Sequence, residues 1–405
     1  MESFEQSIES YFQDQDQPLP RVTLGAINKA GTFSYVKSFG GQSGTPDADV
    51  PDASDVYWIA SCSKLITTIV ALQCVDKGLL NLDDDISGIL PEWKDPKILV
   101  GFEEDGQPIL KPAESFITLR HLPSCAYGIT GMAYRDTHPL IQEYDERRGK
   151  PEGFAQTIAH DFPTLLVAPP GTRWRYSPSL DWAGQMIERV NPGLKLGDLI
   201  QRDILAPLHL PATALTFHLP PAAPSSPPRV ARAWQRRASG SLRPLASQAI
   251  MPDPVADDFG GRGLYATAGA WLAVAGALLA GGAPLLRPGT AAGVFAAQMA
   301  GPVAEGLAEE VRGGLEMRNG ALGSLPDGVA VGFGLGGLVN REGVKGRRAA
   351  GSLCWSGLPN CYWWIDPEKG VAGVYLSQLM PTGDSKSVEL LGKFEEAVYA
   401  AVGQS

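Results

Sequence analysis

The stretch WIASCSKLITTIVALQCVDKGLLNLDDDISGILPEW, residues 58–93, decides the fold. Its apolar residues recur at helical spacing from Ser61 to Lys77, and Gly78 is a typical helix stop. The short apolar run VYWIA (56–60) in front of them is typical of a strand. A serine therefore lies where a predicted strand passes into a predicted helix.

Ser61 and Lys64 form a Ser-x-x-Lys tetrad, and on a helix this spacing places both side chains on one face. The helix N-terminus favours negative charge on Ser61 Oγ and opposes a proton on Lys64. A hydroxyl needs a base to become a nucleophile, and a buried lysine with a lowered pKa can be that base. A second tetrad, Ser34 to Lys37, lies in a predicted strand, where its ends point to opposite faces. Spacing alone favours the simpler interpretation of Ser61 and Lys64, a capping serine and a solvated lysine.

The composition excludes several classes of protein. With 44% hydrophobic and 19% charged residues the chain is globular, and 405 residues suffice for two lobes or one large domain with an insertion. The net charge of −10 argues against a general nucleic-acid or anionic-membrane surface. The N-terminus lacks an export-signal pattern, and glycines and a proline interrupt the longest apolar stretch, 264–286. We expect a cytoplasmic protein with neither nucleic-acid nor membrane partners.

The sequence predicts neither a metal nor a cofactor. Five cysteines without CxxC spacing are typical of reduced thiols, namely Cys62, Cys74, Cys125, Cys354 and Cys361. The histidines show no zinc-ligand spacing. GFGLGG (332–337) satisfies GxGxxG, but it lies in a strand-like run that no helix follows, which argues against a dinucleotide site. A GxSxG elbow is also missing, which argues against an α/β-hydrolase.

Strand patterns lie near both ends of the chain, and helical patterns lie between them. Residues 21–28 and 33–39 predict a β-hairpin. Further strands are expected at 329–340, 347–355, 360–366 and 370–378. Helices are expected at 2–14, 264–280 and 387–402. Five prolines between 220 and 228 indicate an extended connection.

This distribution predicts an α+β fold, in which an antiparallel β-sheet is flanked by helices and carries an inserted helical domain. Residues 1–58 and 255–405 would form the sheet domain, because the strand patterns lie there. Residues 59–254 would form the mainly helical insertion. We expect the active site between the two.

The stretch 58–93 resembles the segment around the nucleophile in class C β-lactamases and their esterase relatives. These proteins belong to the serine β-lactamase and penicillin-binding-protein superfamily, where an SxxK helix runs into Gly-x-Leu-x-Leu-Asp-Asp and then Leu-Pro. The matching residues are Gly78, Leu80, Leu82, Asp83, Asp84, Leu90 and Pro91. The resemblance implies the superfamily's fold, with Ser61 as nucleophile and Lys64 beside it.

Two further segments resemble the superfamily in the same order. ITLRHLPSCAYGITG (117–131) is similar to its Thr-x-Arg-His-Leu segment but departs from it at Pro123–Tyr127. PPGTRWRYSPSLDWAG (169–184) is similar to its Pro-Gly…Tyr-Ser-Asn element, which implies that Tyr176 exchanges protons with the nucleophile and the leaving group. Pro178 replaces the asparagine whose amide helps to hold the substrate in β-lactamases, and this departure counts against β-lactam hydrolysis.

The last matching segment is GSLCWSGLPNCYWWID (351–366), where Trp355-Ser356-Gly357 replaces the Lys-Thr-Gly of β-lactamases. Trp-x-Gly here is typical of the superfamily's esterases and acyltransferases. Loss of the lysine removes a cation for a substrate carboxylate, and tryptophan supplies an apolar wall. The resemblance assigns substrate binding to these three residues and an oxyanion hole to the backbone N–H groups of Ser61 and Leu358. The whole C-terminal run looks like fungal polyketide acyltransferases of the lovastatin side-chain transferase type.

The sequence thus predicts a serine acyltransferase that passes an acyl group from Ser61 to an alcohol of a secondary metabolite, with Lys64 and Tyr176 moving the proton. The alternatives are a carboxylesterase, a β-lactamase or D-alanyl-D-alanine peptidase, and a non-catalytic binding protein on the same fold. We expect a small-molecule ester or thioester donor, including one linked to coenzyme A or a carrier protein. An arginine cluster is interpreted as a solvated surface or, alternatively, as a carrier-protein docking face, and it comprises Arg229, Arg232, Arg236, Arg237 and Arg243.

Overall fold

In the computed structural model the chain is described over residues 1–40, 52–122, 130–219, 229–245, 251–252, 254–299, 302–311 and 314–403. The predicted connection at 220–228, the departure at Pro123–Tyr127 and Cys125 lie outside these residues. The helices are α1 (Glu2–Phe12), α2 (Ser63–Asp76), α3 (Pro139–Arg147), α4 (Ile158–Asp161), α5 (Ser179–Arg189), α6 (Leu196–Ile200), α7 (Ala268–Leu279), α8 (Pro288–Phe295), α9 (Pro302–Val311), α10 (Leu315–Leu322) and α11 (Ser385–Val402). The strands are β1 (Val22–Asn28), β2 (Ser34–Phe39), β3 (Tyr57–Trp58), β4 (Lys97–Phe102), β5 (Pro108–Pro112), β6 (Leu165–Leu166), β7 (Leu215–Thr216), β8 (Trp234–Arg236), β9 (Leu242–Pro244), β10 (Tyr265–Ala266), β11 (Val331–Phe333), β12 (Leu338–Asn340), β13 (Leu353–Gly357), β14 (Cys361–Asp366), β15 (Val371–Leu376) and β16 (Leu379–Met380).

The largest sheet of the described chain has seven strands in the order β11-β12-β13-β14-β15-β1-β2. All of its neighbours pair antiparallel. Because β1 lies beside β15, with Gly25 opposite Val374, strands from the two ends of the chain meet in the middle of the sheet. The predicted antiparallel sheet built from both ends is confirmed, and so is the hairpin of β1 and β2.

Helices cover both faces of this sheet. Successive residues of a strand point to opposite faces, so Trp363 and Trp364 of β14 mark the two sides. Trp363 stacks 5.1 Å from Trp271 of α7, and Trp364 lies 5.8 Å from Phe394 of α11. With both faces covered, every residue of β14 is buried, which explains why its first five residues form an unbroken apolar run before Asp366.

The helix that carries the tetrad lies deep in the molecule. All residues of α2 from Ser63 to Cys74 are buried, and they include the polar side chains of Lys64, Thr67 and Thr68. The helix packs against α5 and α6. The prediction placed the helix start at Ser61, but a 3₁₀ turn, Ala60–Cys62, comes first and α2 begins at Ser63.

Two further boundaries differ from the prediction. The apolar stretch predicted as one helix over 264–280 begins with β10, and Thr267 then caps α7 by accepting the N–H of Ala270. The run 329–340 is a hairpin of β11 and β12 whose turn contains Gly334, Gly336 and Gly337 of GFGLGG, so this motif neither lies inside one strand nor opens a helix. Among the described residues, no helix has both the length and the apolar character that a membrane crossing requires.

Small sheets tie the middle of the chain to its ends. β3, β10 and β7 form one of them, and β16, β8 and β9 form another. β3 thereby pairs with β10, which places the segment before Ser61 beside the segment after Gly263. Since these sheets mix residues of both predicted domains, the division at residues 58 and 255 stays a prediction.

Candidate active site

The tight turn between β3 and α2 presents Ser61. Ala60 adopts a left-handed backbone conformation with φ of +44°, a strain that surrounding structure must stabilise in a non-glycine residue. Ser63 supplies part of that stabilisation, since its Oγ donates to Ala60 O at 2.5 Å and accepts from Leu264 N at 3.1 Å. The turn leaves Ser61 partly exposed while its neighbours Ala60 and Cys62 are buried. This is the accessibility that a nucleophile requires.

The structure brings Ser61, Lys64 and Tyr176 together. The hydroxyl oxygens of Ser61 and Tyr176 lie 2.5 Å apart, and Lys64 Nζ lies 3.3 Å from each of them. Lys64 comes from α2, whereas Tyr176 comes from the segment that leads into α5, 112 residues further along the chain. A nucleophile, an amine and a phenol are thus within hydrogen-bond distance of one another.

Burial leaves part of the Lys64 amine neutral at physiological pH, so that it can act as a base. Its pKa falls from 10.5 to about 7, first because burial penalises the charged amine, an effect that the carboxylate of Asp181 opposes and the guanidinium of Arg262 reinforces. Nζ also donates to Gly261 O at 2.6 Å and to the Tyr134 hydroxyl at 3.3 Å. A substantial fraction of the amine is therefore neutral near pH 7 and able to accept a proton.

The two tyrosines of the site stay protonated at neutral pH. Burial raises the pKa of the Tyr176 phenol well above its usual value of 10, although the hydrogen bond with Ser61 partly offsets this rise. Burial likewise raises the pKa of Tyr134. Tyr176 can therefore pass a proton between Ser61 and Lys64, taking one as it gives one, without a stable phenolate.

An aromatic wall stands beside these polar groups. The Trp355 ring lies 6.1 Å from the Tyr176 ring and 5.4 Å from that of Phe333. Tyr134 closes the other side, 5.0 Å from Tyr176, and Trp174 packs behind Phe333 at 5.9 Å. Trp355, predicted as an apolar substrate wall, thus flanks the tyrosine of the site.

Ser356 and Gly357, the other two residues predicted to bind substrate, contact the protein itself. Ser356 is buried and its hydroxyl donates to Gly320 O of α10, so this hydroxyl is engaged within the protein and its role in substrate binding stays a prediction. Gly357 ends β13, and a side chain there would overlap the carbonyl oxygen of Ile59. Its missing Cβ lets the end of β13 approach the turn that holds Ser61.

The turn after β13 is fixed by its own hydrogen bonds. Asn360 has a φ of +57° and its side-chain amide donates to Leu379 O at 2.8 Å and to Pro381 O at 2.7 Å. Thr382 Oγ1 donates to Leu358 O at 2.6 Å. Leu358 itself is partly exposed. An oxyanion hole formed by the N–H groups of Ser61 and Leu358 stays a prediction that this arrangement favours.

Sequence reasoning missed three groups around Lys64. They are Tyr134, Gly261 and Asp181, which lie far from the tetrad along the chain and reach it only through the fold. Asp181 lies within the segment 169–184 that resembles the superfamily, so an aspartate shortly after Tyr176 was a usable signal, whereas Gly261 lies outside the segments singled out above. Tyr134 had no such signal.

Part of the arginine cluster is engaged within the protein. Arg229 pairs with Asp55 at 2.8 Å, and Arg236 pairs with Asp384 at 2.5 Å. Arg243 donates to the side chain of Gln235. Two of the five arginines thus serve ion pairs within the protein. Docking of a carrier protein at this cluster stays a prediction.

Known proteins resemble the chain over nearly its whole length. The sequence matches the family described as "Beta-lactamase" over residues 27–395. It is 31% identical over 396 residues to monacolin J acid methylbutanoyltransferase from Aspergillus terreus, covering 96% of this chain and 94% of that protein. It is 32% identical over 388 residues to lovastatin esterase from Penicillium rubens, covering 92% of each.

A solved structure gives the same result. The LovD6 mutant of simvastatin synthase from Aspergillus terreus superposes with a TM-score of 0.85 at 30% identity, over 100% of this chain and 94% of that one. Fold and sequence agree, and the predicted superfamily and fold are confirmed. The chain belongs to the β-lactamase family, in the branch that includes the fungal methylbutanoyltransferases.

Proposed function

We propose that the protein is a serine acyltransferase that forms an acyl-Ser61 intermediate and passes the acyl group to an alcohol of a polyketide-type secondary metabolite. The observation that carries this proposal is the mutual contact of Ser61, Lys64 and Tyr176. Relatives named as acyltransferases, at about 30% identity over most of both chains, support the reaction class.

The acylation step uses the short contact between the two hydroxyls. Ser61 Oγ attacks the carbonyl carbon of the donor while its proton moves to Tyr176 Oη and the phenol proton moves to Lys64 Nζ. The tetrahedral oxyanion then collapses, the bond from carbon to the leaving sulfur or oxygen breaks, and Lys64 returns its proton through Tyr176 to the leaving group. Ser61 is left as an ester.

The transfer step reverses these proton movements. An acceptor hydroxyl gives its proton through Tyr176 to Lys64 and attacks the acyl-Ser61 carbonyl, and Ser61 then leaves with the proton. The aromatic rings of Trp355, Phe333 and Tyr134 favour an apolar acyl chain and disfavour a charged donor head. A methylbutanoyl thioester and monacolin J acid are the first donor and acceptor to try, because a relative is named for that pair.

Carboxylesterase activity is the second candidate. One relative is named lovastatin esterase. Its sequence identity to this chain, 32%, is about the same as the 31% of the methylbutanoyltransferase. The same site hydrolyses an ester whenever water reaches acyl-Ser61 before an alcohol does. β-Lactam or D-alanyl-D-alanine substrates are disfavoured, because Trp355 stands where those enzymes carry the lysine that would meet a carboxylate.

Intact-mass analysis tests the proposal. The protein is incubated with a methylbutanoyl thioester or a p-nitrophenyl ester, and we expect a mass gain of one acyl group that disappears in Ser61→Ala. Added alcohol acceptor should then discharge the acyl-enzyme and yield an ester product faster than water does. Discharge at the same rate with and without acceptors would favour the esterase. No mass gain with any acyl donor would favour a non-catalytic binding protein, and rapid nitrocefin hydrolysis would favour a β-lactamase.

A further inference from the structure

We infer that Asp181 is a positioning residue for Lys64. The carboxylate of Asp181 holds Lys64 in place through Gly261, and its negative charge controls the protonation of the Lys64 amine. This inference rests on the proposed function only for its kinetic consequence. Asp181 lies in the first turn of α5 and its side chain is completely buried. A buried carboxylate without a bonded cation is costly, so its presence requires an explanation.

Gly261 links the two residues. Its carbonyl oxygen accepts from Lys64 Nζ at 2.6 Å, and its N–H donates to Asp181 Oδ1 at 2.9 Å. The carboxylate therefore fixes the residue whose carbonyl holds the amine. A Cβ on Gly261 would lie 2.5 Å from Asp181 Oδ2, so only glycine lets the carboxylate pack this closely.

The second oxygen of Asp181 leaves its charge available. Asp181 Oδ2 is buried, and within the described residues no hydrogen-bond donor contacts it. The nearby guanidinium of Arg262 is bonded to Asp161 and is enclosed by three rings, those of Phe154, Phe162 and Phe259, at 4.0 to 4.8 Å. Arg262 thus has its own counterion, and the negative charge of Asp181 acts on Lys64.

The electrostatics agree with this geometry. The groups that face Lys64 are the carboxylate of Asp181, the guanidinium of Arg262, the thiol of Cys62 and the hydroxyls of Tyr134, Tyr176 and Ser61. After burial, Asp181 has the largest effect on the pKa of Lys64, and it raises this pKa. Burial raises the pKa of Asp181 itself to about 6, and Lys64 lowers it. Without Asp181, burial and Arg262 would hold the pKa of Lys64 below its present value of about 7.

The kinetic test uses Asp181→Asn, which keeps the shape and the acceptor for Gly261 N–H but removes the charge. The rate of Ser61 acylation by a p-nitrophenyl ester is measured from pH 4 to 9. We expect the acidic limb to shift downward by about one pH unit, because the amine then loses its proton at lower pH. A slower rate with an unshifted limb would mean a merely structural role and would overturn the inference.

Two controls keep the test decisive. Gly261→Ala retains every titratable group but displaces the Asp181 carboxylate. It should therefore shift the acidic limb of the pH–rate profile in the same direction. This variant replaces Asp181→Asn in the test if Asp181→Asn does not fold. An unshifted limb in a folded Gly261→Ala would also count against the inference. Asp366→Asn removes a buried carboxylate that accepts from Ala349 N at the far end of β14, and it should leave the limb unchanged.

A direct titration separates this inference from the proposed function. The Nζ protonation of Lys64 is followed by NMR in protein labelled at lysine Cε, and the signal is assigned by its loss in Lys64→Arg. Its midpoint should fall in Asp181→Asn whether or not the protein transfers acyl groups. An equal midpoint in wild type and variant would overturn the inference, while a wild type that never gains acyl mass would overturn only the proposed function.

Discussion

Two buried basic side chains in this protein, Arg348 and Lys64, differ in their hydrogen-bond partners and in the direction in which their pKa values are shifted. Arg348 is bonded to Glu395 through two 2.9 Å contacts, and both side chains are at most 2% exposed. Burial lowers the pKa of Arg348, but Glu395, Cys354 and Tyr399 together raise it by more, so the guanidinium is held charged. Lys64 is equally buried, yet it donates to a carbonyl and to hydroxyls and its pKa falls to about 7.

The difference shows what makes a buried cation structural or reactive. A carboxylate bonded at both oxygens fixes the charge and joins the loop before β13 to α11. Neutral acceptors hold the amine in position while leaving its proton exchangeable. The family membership and the enzyme class, both confirmed, agree with a reactive role for Lys64.

The largest expected effect comes from Lys64→Met. We expect kcat/KM for p-nitrophenyl esters to fall by about 10³- to 10⁴-fold, because the proton acceptor for Ser61 is gone. The thermal unfolding midpoint should stay the same or rise, since an apolar side chain of similar volume replaces a buried amine. Activity close to that of wild type would show that Lys64 is scaffold, like Arg348.

Arg348→Met should give the opposite pattern. The free energy of unfolding should drop by about 3 kcal/mol, because the buried Glu395 loses its two 2.9 Å bonds and, among the described residues, keeps only the longer 3.8 Å contact with Arg347 as an ion pair. The kcat/KM of the folded protein should not change. Urea unfolding measures the loss, and the double variant Arg348→Met/Glu395→Gln should recover part of it. Full stability in the single variant would contradict the structural role of the pair.

The pH dependence sharpens the comparison further. Acylation should reach half its plateau rate near pH 7 and fall about tenfold per pH unit below that, as Lys64 becomes protonated. The folded pKa of Lys64 is lower than its ordinary value of 10.5, so between about pH 7 and 10.5 the unfolded chain binds more protons and stability rises with pH. Lys64→Met should lack both this rise and the limb. A limb that persists in a variant with residual activity would assign it to another group.

The smallest effect is expected at the aromatic wall. Trp355→Ala removes packing worth about 1 kcal/mol against Tyr176 and should lower kcat/KM by about fivefold, mainly through KM. Trp355→Phe should retain most of the activity. Steady-state kinetics with acyl chains of increasing length measure this, and equal losses for all chains would argue against contact between Trp355 and the acyl group.

Sequence alone predicted the parts of the site that lie in local patterns. Ser61, Lys64, Tyr176 and Trp355 each lie in a segment that resembles the superfamily, and the fold brings the first three into contact as predicted. Their catalytic roles stay predictions until they are tested. The sheet was also predictable, since its strands, such as the mostly apolar β14 and β15, lie in strand patterns near both ends of the chain.

The remainder depends on contacts that no local pattern encodes. Tyr134 and Gly261 meet Lys64 across 70 and 197 residues of sequence, and Asp181 acts on it through the second of these. β10 was mistaken for the start of a helix because a two-residue strand is too short to show periodicity. Its partners in β3 and β7, which are distant in the chain, make it a strand.

The bare α-carbon of Gly357 has a consequence for how such an enzyme can acquire new substrates. Because this residue packs directly against the Ile59 carbonyl, the end of β13 cannot carry a side chain here without displacing the turn that holds Ser61. We expect substitutions at position 357 to disturb the turn that holds Ser61, and substitutions of the surrounding aromatic residues to leave that turn in place. We therefore expect altered acyl preference to be selected at aromatic positions such as Phe333, and any larger residue at position 357 to be rejected.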